Sequence, residues 1–127
     1  SGAYDICTSE EYLKKIINLD DCHLLFDIAH ALVTCANKNI SFDKYCSGLL
    51  KTNKCKQMHL CQPSYEFIAG NILAKDAHEI PSLELTNLSI SLSIKYEINL
   101  LTIEYYKDAE NLISYLQFLK NFIVNYE

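Results

Sequence analysis

The side chains of this chain that can do chemistry include four histidines, six cysteines and sixteen acidic residues. Three of them, His23, Asp27 and His30, are spaced i, i+4 and i+7, so on a helix all three point the same way. Imidazole, carboxylate and imidazole on one rigid face can hold a transition metal with open coordination positions. The alternative is the polar stripe of an amphipathic helix, continued by Thr34 and Lys38. The stripe is favoured, because the exposed face of such a helix must be polar.

The six cysteines are even in number, which is compatible with disulfides, with metal coordination or with reduced thiols. Cys22, Cys35 and Cys46 fall on apolar faces of predicted helices, where a free cysteine packs as a small hydrophobic residue. Cys22 and Cys35 lie roughly 20 Å apart along one predicted helix and cannot pair with each other. Reduced thiols are therefore the favoured interpretation, and the other two remain open.

One metal interpretation rests on the spacing C-x8-C-x5-C of Cys46, Cys55 and Cys61. This spacing resembles that of the first three ligands of CCCH-type zinc fingers, many of which bind single-stranded RNA. The family has a histidine four residues after the third cysteine, where this chain has Tyr65, and His59 is the nearest substitute. The resemblance implies a zinc-stabilised module that binds RNA or protein through these three cysteines and His59.

Nucleophilic catalysis needs a thiol or hydroxyl with a base within reach. Cys22 and His23 are adjacent, and on a helix they would point about 100° apart. Cys61 and His59 have no evident orienting group, and three glycines in the whole chain provide no glycine-rich phosphate loop. The sequence therefore predicts no enzymatic activity and, outside the zinc alternative, no cofactor.

Length and composition narrow the remaining functions. A chain of 127 residues, half of them apolar, predicts a single domain over 1–127, and the missing initiator Met suggests excision from a longer protein. A net charge of −5, with eleven lysines and no arginine, argues against nucleic-acid binding. There is no run of eighteen apolar residues, so no membrane span is predicted, and we expect an intracellular protein, cytoplasmic or nuclear.

The most regular pattern lies between Leu88 and Leu100, where apolar and polar residues alternate strictly over thirteen residues. A period of two predicts β-structure with one buried face. The phase of the alternation changes at Leu100 and Leu101, which indicates a bulge or a turn. We therefore predict two or three antiparallel strands within 83–106.

Helices are predicted before and after this sheet. Four short N-terminal helices are expected, beginning at Ser9, at Asp20 or Asp21, at Ser41 and at Pro63. The second runs to about Lys38 and is ended by the run Asn37-Lys38-Asn39, and residues 52–61 are predicted to be a loop. A C-terminal helix capped by Asp108 runs to about Asn125 and packs on the sheet. The fold class is therefore α+β, with a helical part over 9–80 and the sheet plus C-terminal helix over 82–127.

By elimination, the sequence predicts a non-enzymatic protein–protein interaction or scaffolding domain. Small polar side chains on an exposed strand leave its edge open to a partner chain, and tyrosines can anchor the contact. The candidate partner-binding residues are Ser89, Ser91, Ser93, Tyr96, Tyr105 and Tyr106. The partner is another protein or a second copy of the chain, since Phe118 and Val124 lie off the main apolar stripe of the C-terminal helix.

Overall fold

The computed structural model describes residues 2–19 and 22–126, with side chains from Asp5 onward. Helices and strands are intermixed along the chain. Their order is α1 (Gly2–Cys7), α2 (Glu10–Ile17), β1 (Leu24–Asp27), α3 (Ile28–Lys38), α4 (Phe42–Leu50), β2 (Cys55–Leu60), β3 (Gln62–Ile68), β4 (Asn71–Glu79), α5 (Leu83–Lys95), β5 (Leu100–Ile103) and α6 (Ala109–Val124).

The strands form two separate sheets. β1, β2 and β5 lie side by side in that order, and both pairings are parallel. β3 and β4 form an antiparallel hairpin. Its turn is made by Ala69 and Gly70, which both have positive φ, as a tight two-residue hairpin turn requires. The mixed α and β character and the C-terminal helix agree with the predicted fold class, but the main sheet is parallel.

The two faces of the parallel sheet differ in character. One face is apolar: Phe26, Met58 and Leu60 are almost fully buried and belong to the main core cluster with residues of α3, α4 and α5. On the other face the register aligns Asp27 of β1 with His59 of β2, and His59 with Thr102 of β5. The sheet therefore presents a polar, partly exposed face opposite the core.

The segment with strict alternation is helical up to Lys95 and leaves the helix through a turn over 96–99, so the strand predicted between Leu88 and Leu100 is wrong except at its final residue. Along a helix, every second residue is turned by about 200°, so the alternating residues fall on two opposite faces. Leu88 and Leu92 pack against the main core cluster, and Ile90 forms a second cluster with Tyr115 of α6. The alternation arises because α5 is packed on both sides.

Hydroxyl groups at the start of α5 and along it bond to the helix backbone. The Ser82 side chain caps it by accepting the Leu85 N–H, while Thr86 donates to the Ser82 carbonyl at 2.8 Å and Ser89 to the Leu85 carbonyl at 2.7 Å. Ser89 is fully buried, and this bond satisfies its hydroxyl. The predicted antiparallel sheet over 83–106 is thus replaced by α5 and the short parallel strand β5.

Further corrections concern the N-terminal part, which contains four strands and is not a helical region over 9–80. The long helix predicted to run to Lys38 begins only at Ile28, and its predicted caps, Asp20 and Asp21, lie outside the described residues. Residues predicted as a loop form β2, and those predicted as a helix from Pro63 form the hairpin. A short, largely buried strand such as β2 does not carry a periodicity that distinguishes it from a helix or a loop, whereas the hairpin was misassigned because its apolar residues have the spacing of a helical face.

Several predicted boundaries are confirmed. Ser9 caps α2 and Ser41 caps α4, Asn39 ends α3 in the left-handed conformation, and Asp108 caps α6. α6 packs on α5 through the second cluster, to which Leu101 and Ile103 of β5 contribute. Within the described ranges, no helix combines the length and the apolar character needed to cross a membrane.

Candidate metal centre

Polar side chains gather where the three parallel strands end. Asp27 is the last residue of β1, His59 lies near the end of β2 with Cys61 just beyond it, and Glu104 follows β5. The Glu104 N–H donates to the Leu60 carbonyl at 3.0 Å, which continues the ladder past the end of β5. Because the carboxyl ends of parallel strands meet at one edge, these four side chains converge there, where open α/β sheets commonly bind ligands.

The hairpin adds two more groups through an irregularity in its pairing. Gln62 pairs with Glu79 and Ser64 with Lys75, so the stretch Asp76 to His78 of β4 lies opposite the single residue Pro63. Proline cannot donate to a ladder and is tolerated at such bulges. The bulge redirects side chains of β4, and Asp76 and His78 reach the ends of the parallel strands.

Asp76 is the centre of one set of contacts. Its Oδ2 lies 2.9 Å from His78 Nε2 and 2.8 Å from Nε2 of His30, in the first turn of α3. Its Oδ1 accepts a hydrogen bond from Cys61 Sγ at 3.7 Å. Each of Cys61, Asp76 and His78 offers a ligand atom within 4.8 Å of the other two.

Glu104 is the centre of a second, adjoining set. Its Oε2 lies 3.2 Å from His59 Nδ1, and the other ring nitrogen of His59 is 3.2 Å from Nε2 of Gln57. Asp27, His59 and Glu104 also place one ligand atom each within 4.8 Å of the others. The two sets meet where Glu104 Oε1 lies 3.9 Å from His78 Nδ1.

His78 has three unusual features. Its φ of 46° is in the left-handed region, which is uncommon outside glycine and is found at ligand and catalytic sites. Its Nδ1 is buried and makes no hydrogen bond, although such an atom normally has a partner. The exposed ring of Tyr106 lies against the imidazole, with 5.2 Å between ring centroids.

The electrostatics of the cluster favour a bound cation. Burial, together with the smaller effects of the nearby Asp27, Asp76 and Glu104 carboxylates, raises the pKa of the Cys61 thiol to about 12. Burial also raises the pKa of Asp27, with smaller contributions from Glu104 and Asp76, against the lowering effect of the hydrogen bond from the His30 N–H. Both shifts reflect negative charge collected in a partly buried place, which a cation would offset.

The arrangement can hold a metal ion in either triad. Cys61, Asp76 and His78 supply one sulfur, one oxygen and one nitrogen, while Asp27, His59 and Glu104 supply two oxygens and one nitrogen. Three protein ligands with a further position open to solvent is the arrangement of catalytic zinc sites. Access from solvent is available, since the His30 side chain is 63% exposed and the Asp76 side chain 24%.

The CCCH ligand set predicted from the sequence is dispersed. Cys46 lies in α4 and Cys55 begins β2, and both are buried in the main core cluster. Cys61 and His59 do reach the candidate centre, although they belong to different triads. In the part of the chain that the structure describes, neither triad contains Cys46 or Cys55.

The residues predicted to bind a partner are also separated. Ser89, Ser91 and Ser93 lie on helix α5 rather than on a strand edge, and Ser89 is fully buried. Tyr96 packs against the main core cluster. Tyr105 is partly buried next to the exposed Tyr106, which contacts the candidate centre.

The predicted helical face of His23, Asp27 and His30 does not form, because Asp27 ends β1 and caps α3. Asp27 and His30 nevertheless reach the centre from these positions. Asp76 and His78 were not predicted as site residues. They have the i, i+2 spacing that places two residues on the same face of a strand, and His59 and Cys61 have the same spacing.

Comparison of the chain with models of known protein families gives no match. Comparison with curated proteins and with solved structures gives no significant similarity either.

Proposed function

We propose that this protein binds divalent transition-metal ions at the carboxyl ends of β1, β2 and β5, and that the bound metal performs catalysis. The observation that carries the proposal is the convergence of seven ligand-type side chains from α3, both sheets and the residues that follow their strands. They are Asp27, His30, His59, Cys61, Asp76, His78 and Glu104.

The composition of the cluster supports catalysis over a structural role. Structural zinc sites are closed sets of four cysteine or histidine ligands. Here carboxylates are mixed with imidazoles and one thiol, and the cluster has exposed members, so substrate or water can reach the metal. A metal ion in such a setting polarises a bound oxygen and lowers the pKa of a bound water.

The donor atoms indicate which ions fit. Imidazole nitrogens suit zinc and iron(II), carboxylates suit manganese, and a thiolate favours zinc or iron over magnesium or calcium. The two triads adjoin each other through Glu104 and His78, whose facing atoms are 3.9 Å apart. The centre can therefore hold one ion in each of two adjoining triads.

The proposal is tested by titrating the purified, chelator-treated chain with cobalt(II), a spectroscopic substitute for zinc. We expect native mass spectrometry to show bound cobalt, and the optical spectrum to show thiolate-to-cobalt charge transfer from Cys61. The change Asp76→Ala should weaken binding at least tenfold, because it removes a ligand and leaves His30 and His78 without their shared acceptor.

The matched control is Asp43→Asn, which alters an exposed carboxylate in the first turn of α4, outside both triads. It should bind cobalt as the unchanged chain does. Absence of cobalt from the unchanged chain, or equal binding by Asp76→Ala, would contradict the proposal.

The non-enzymatic interaction module predicted from the sequence stays a prediction, as does the homodimer through α6. Phe118 and Val124 are exposed on that helix. A protein with a metal centre can also have a partner, so a partner and a homodimer are compatible with the proposal, whereas catalysis by the metal is an alternative to the predicted non-enzymatic role.

A further inference from the structure

Helix α3 is attached to strand β4 by two polar side chains that are seven residues apart. His30 contacts the Asp76 carboxylate, as described above. Asn37, two turns further along, bonds both backbone groups of Ala74: its Nδ2 donates to the Ala74 carbonyl at 3.0 Å, and its Oδ1 accepts the Ala74 N–H at 2.9 Å. The polar stripe predicted from the sequence along this helix is therefore partly used to hold the hairpin.

The Asn37 carboxamide takes the place of a neighbouring strand at the outer edge of β4. A carboxamide offers one acceptor and a donor group, which matches the pair of backbone groups on one residue. Ala74 is only 3% exposed with Asn37 in place, so without the Asn37 carboxamide both of its backbone groups would lose their protein partner at a part-buried position.

The position of this contact links it to the candidate centre. Ala74 is two residues before Asp76, at the start of the stretch that bulges opposite Pro63. Residues 65–73 are exposed. Fixing β4 at Ala74 therefore determines where Asp76 and His78 lie relative to Cys61.

We propose that Asn37 is a positioning residue of the metal centre, which holds β4 so that Asp76 and His78 share an ion with Cys61. This inference rests on the proposed function. Asn37 touches none of the proposed ligand atoms and acts through the backbone of Ala74.

The test is cobalt(II) titration of Asn37→Ala, compared with Asn121→Ala, which removes an exposed carboxamide from helix α6. We expect Asn37→Ala to lower cobalt affinity roughly 10–100-fold, the range seen when residues that orient metal ligands are changed. Its thiolate-to-cobalt absorption should fall, because β4 no longer holds its two ligands beside Cys61. Asn121→Ala should bind as the unchanged chain does.

A second variant and a second readout separate positioning from general destabilisation. Asn37→Asp keeps the acceptor for the Ala74 N–H, so its affinity should lie between those of Asn37→Ala and the unchanged chain. Hydrogen exchange should become faster in β3 and β4 of Asn37→Ala, while amides of β2 and α5 keep their rates.

Two failures are distinguishable. If the unchanged chain bound no cobalt, the proposed function would fail, and this inference with it. If the unchanged chain bound cobalt and Asn37→Ala bound it within twofold, only the positioning role would be wrong.

Discussion

Asp27 has two roles that place opposite demands on one side chain. Its carboxylate accepts the His30 N–H at 2.9 Å and so caps α3. The same carboxylate lies in a ligand triad, where burial and the neighbouring carboxylates raise its pKa. The first role requires only an acceptor, whereas the second requires a charge that the metal-free fold disfavours.

The change Asp27→Asn should therefore stabilise the metal-free chain at neutral pH while weakening metal binding. Asparagine caps helices as well as aspartate does. Because the pKa of Asp27 is raised on folding, the folded chain binds more protons, and stability falls as pH rises between the unfolded and folded pKa values. This loss of stability is absent below the pKa that Asp27 has in the unfolded chain and complete above the pKa that it has in the folded chain.

Urea unfolding in the presence of a chelator checks this prediction. The advantage of Asp27→Asn should be present at about pH 7 and absent at about pH 3. Asp43→Asn, which changes an exposed carboxylate in a helix first turn, should give no such advantage. A variant less stable than the unchanged chain at neutral pH would refute the argument.

Cys61 makes a separate prediction about pH. Its thiol, with a pKa of about 12, is protonated in the metal-free chain at neutral pH, and a metal ion binds the thiolate. Binding must then release a proton from Cys61, and affinity should rise about tenfold per pH unit in mildly alkaline solution.

Calorimetric titration with zinc in buffers of different ionisation enthalpy measures the number of protons released. Cys61→Ser removes the thiol and should lower that number by about one. If the unchanged chain and Cys61→Ser released equal numbers of protons, Cys61 would not be a ligand.

The alternating pattern in α5 can be interpreted as a strand or as a helix, and the two interpretations predict different effects of substitution. On a strand, Ser89 and Ser91 would share an exposed face and respond alike to substitution. On the helix Ser89 is fully buried, whereas Ser91 is exposed and its Oγ lies 2.6 Å from the Tyr126 hydroxyl.

We therefore expect Ser89→Leu to lower the free energy of unfolding by about 1–3 kcal/mol, because a larger side chain must be forced into a filled space. Ser91→Leu should change it by about 0.5 kcal/mol or less, since it alters an exposed position. Denaturant unfolding of the two variants provides the comparison, and equal effects would contradict the helix.

Local signals in the sequence predict helix ends better than they predict strands here. Ser9, Ser41 and Asp108 act through hydrogen bonds to the next turn, so their effect is readable from neighbouring residues. The parallel strands are short and paired with distant segments, and nothing nearby in the sequence specifies those partners. The alternation in α5 was interpreted as a strand because its apolar residues pack against two clusters that lie on opposite sides of the helix.

The candidate centre was only partly predictable for the same reason. His59 and Cys61 were identified as reactive types, and Asp27 and His30 as a set with the spacing of metal ligands. Their meeting with Asp76 and Glu104 depends on the strand order and on the bulge opposite Pro63, which are tertiary features. Spacing alone therefore selected some residues of the candidate centre but assigned them to a helical face or a zinc finger.

The proposed ligands are distributed along the sequence from Asp27 to Glu104, so they come together only when the whole chain is folded. Metal binding should therefore stabilise the fold. At free zinc one hundred times the dissociation constant, the free energy of unfolding should rise by about 2.7 kcal/mol.

Thermal unfolding with zinc and with chelator measures this gain. His78→Ala should lose most of it, and His23→Ala, which changes a histidine outside both triads, should keep it. If zinc did not raise the midpoint temperature of unfolding of the unchanged chain, the centre would not bind zinc at that concentration.

The packing of α5 on both sides also bears on how the protein is made. During synthesis α6 emerges after α5, and until it docks, the Ile90 side of α5 lacks the cover that Tyr115 and Leu119 provide. The bare segment then carries the alternation typical of strands, with no proline and one charge between Leu85 and Lys95. A nascent chain stalled before Ala109, or a fragment cut there, is thus expected to associate through this segment into intermolecular β-sheet, so that translation of α6 protects the molecule from aggregation.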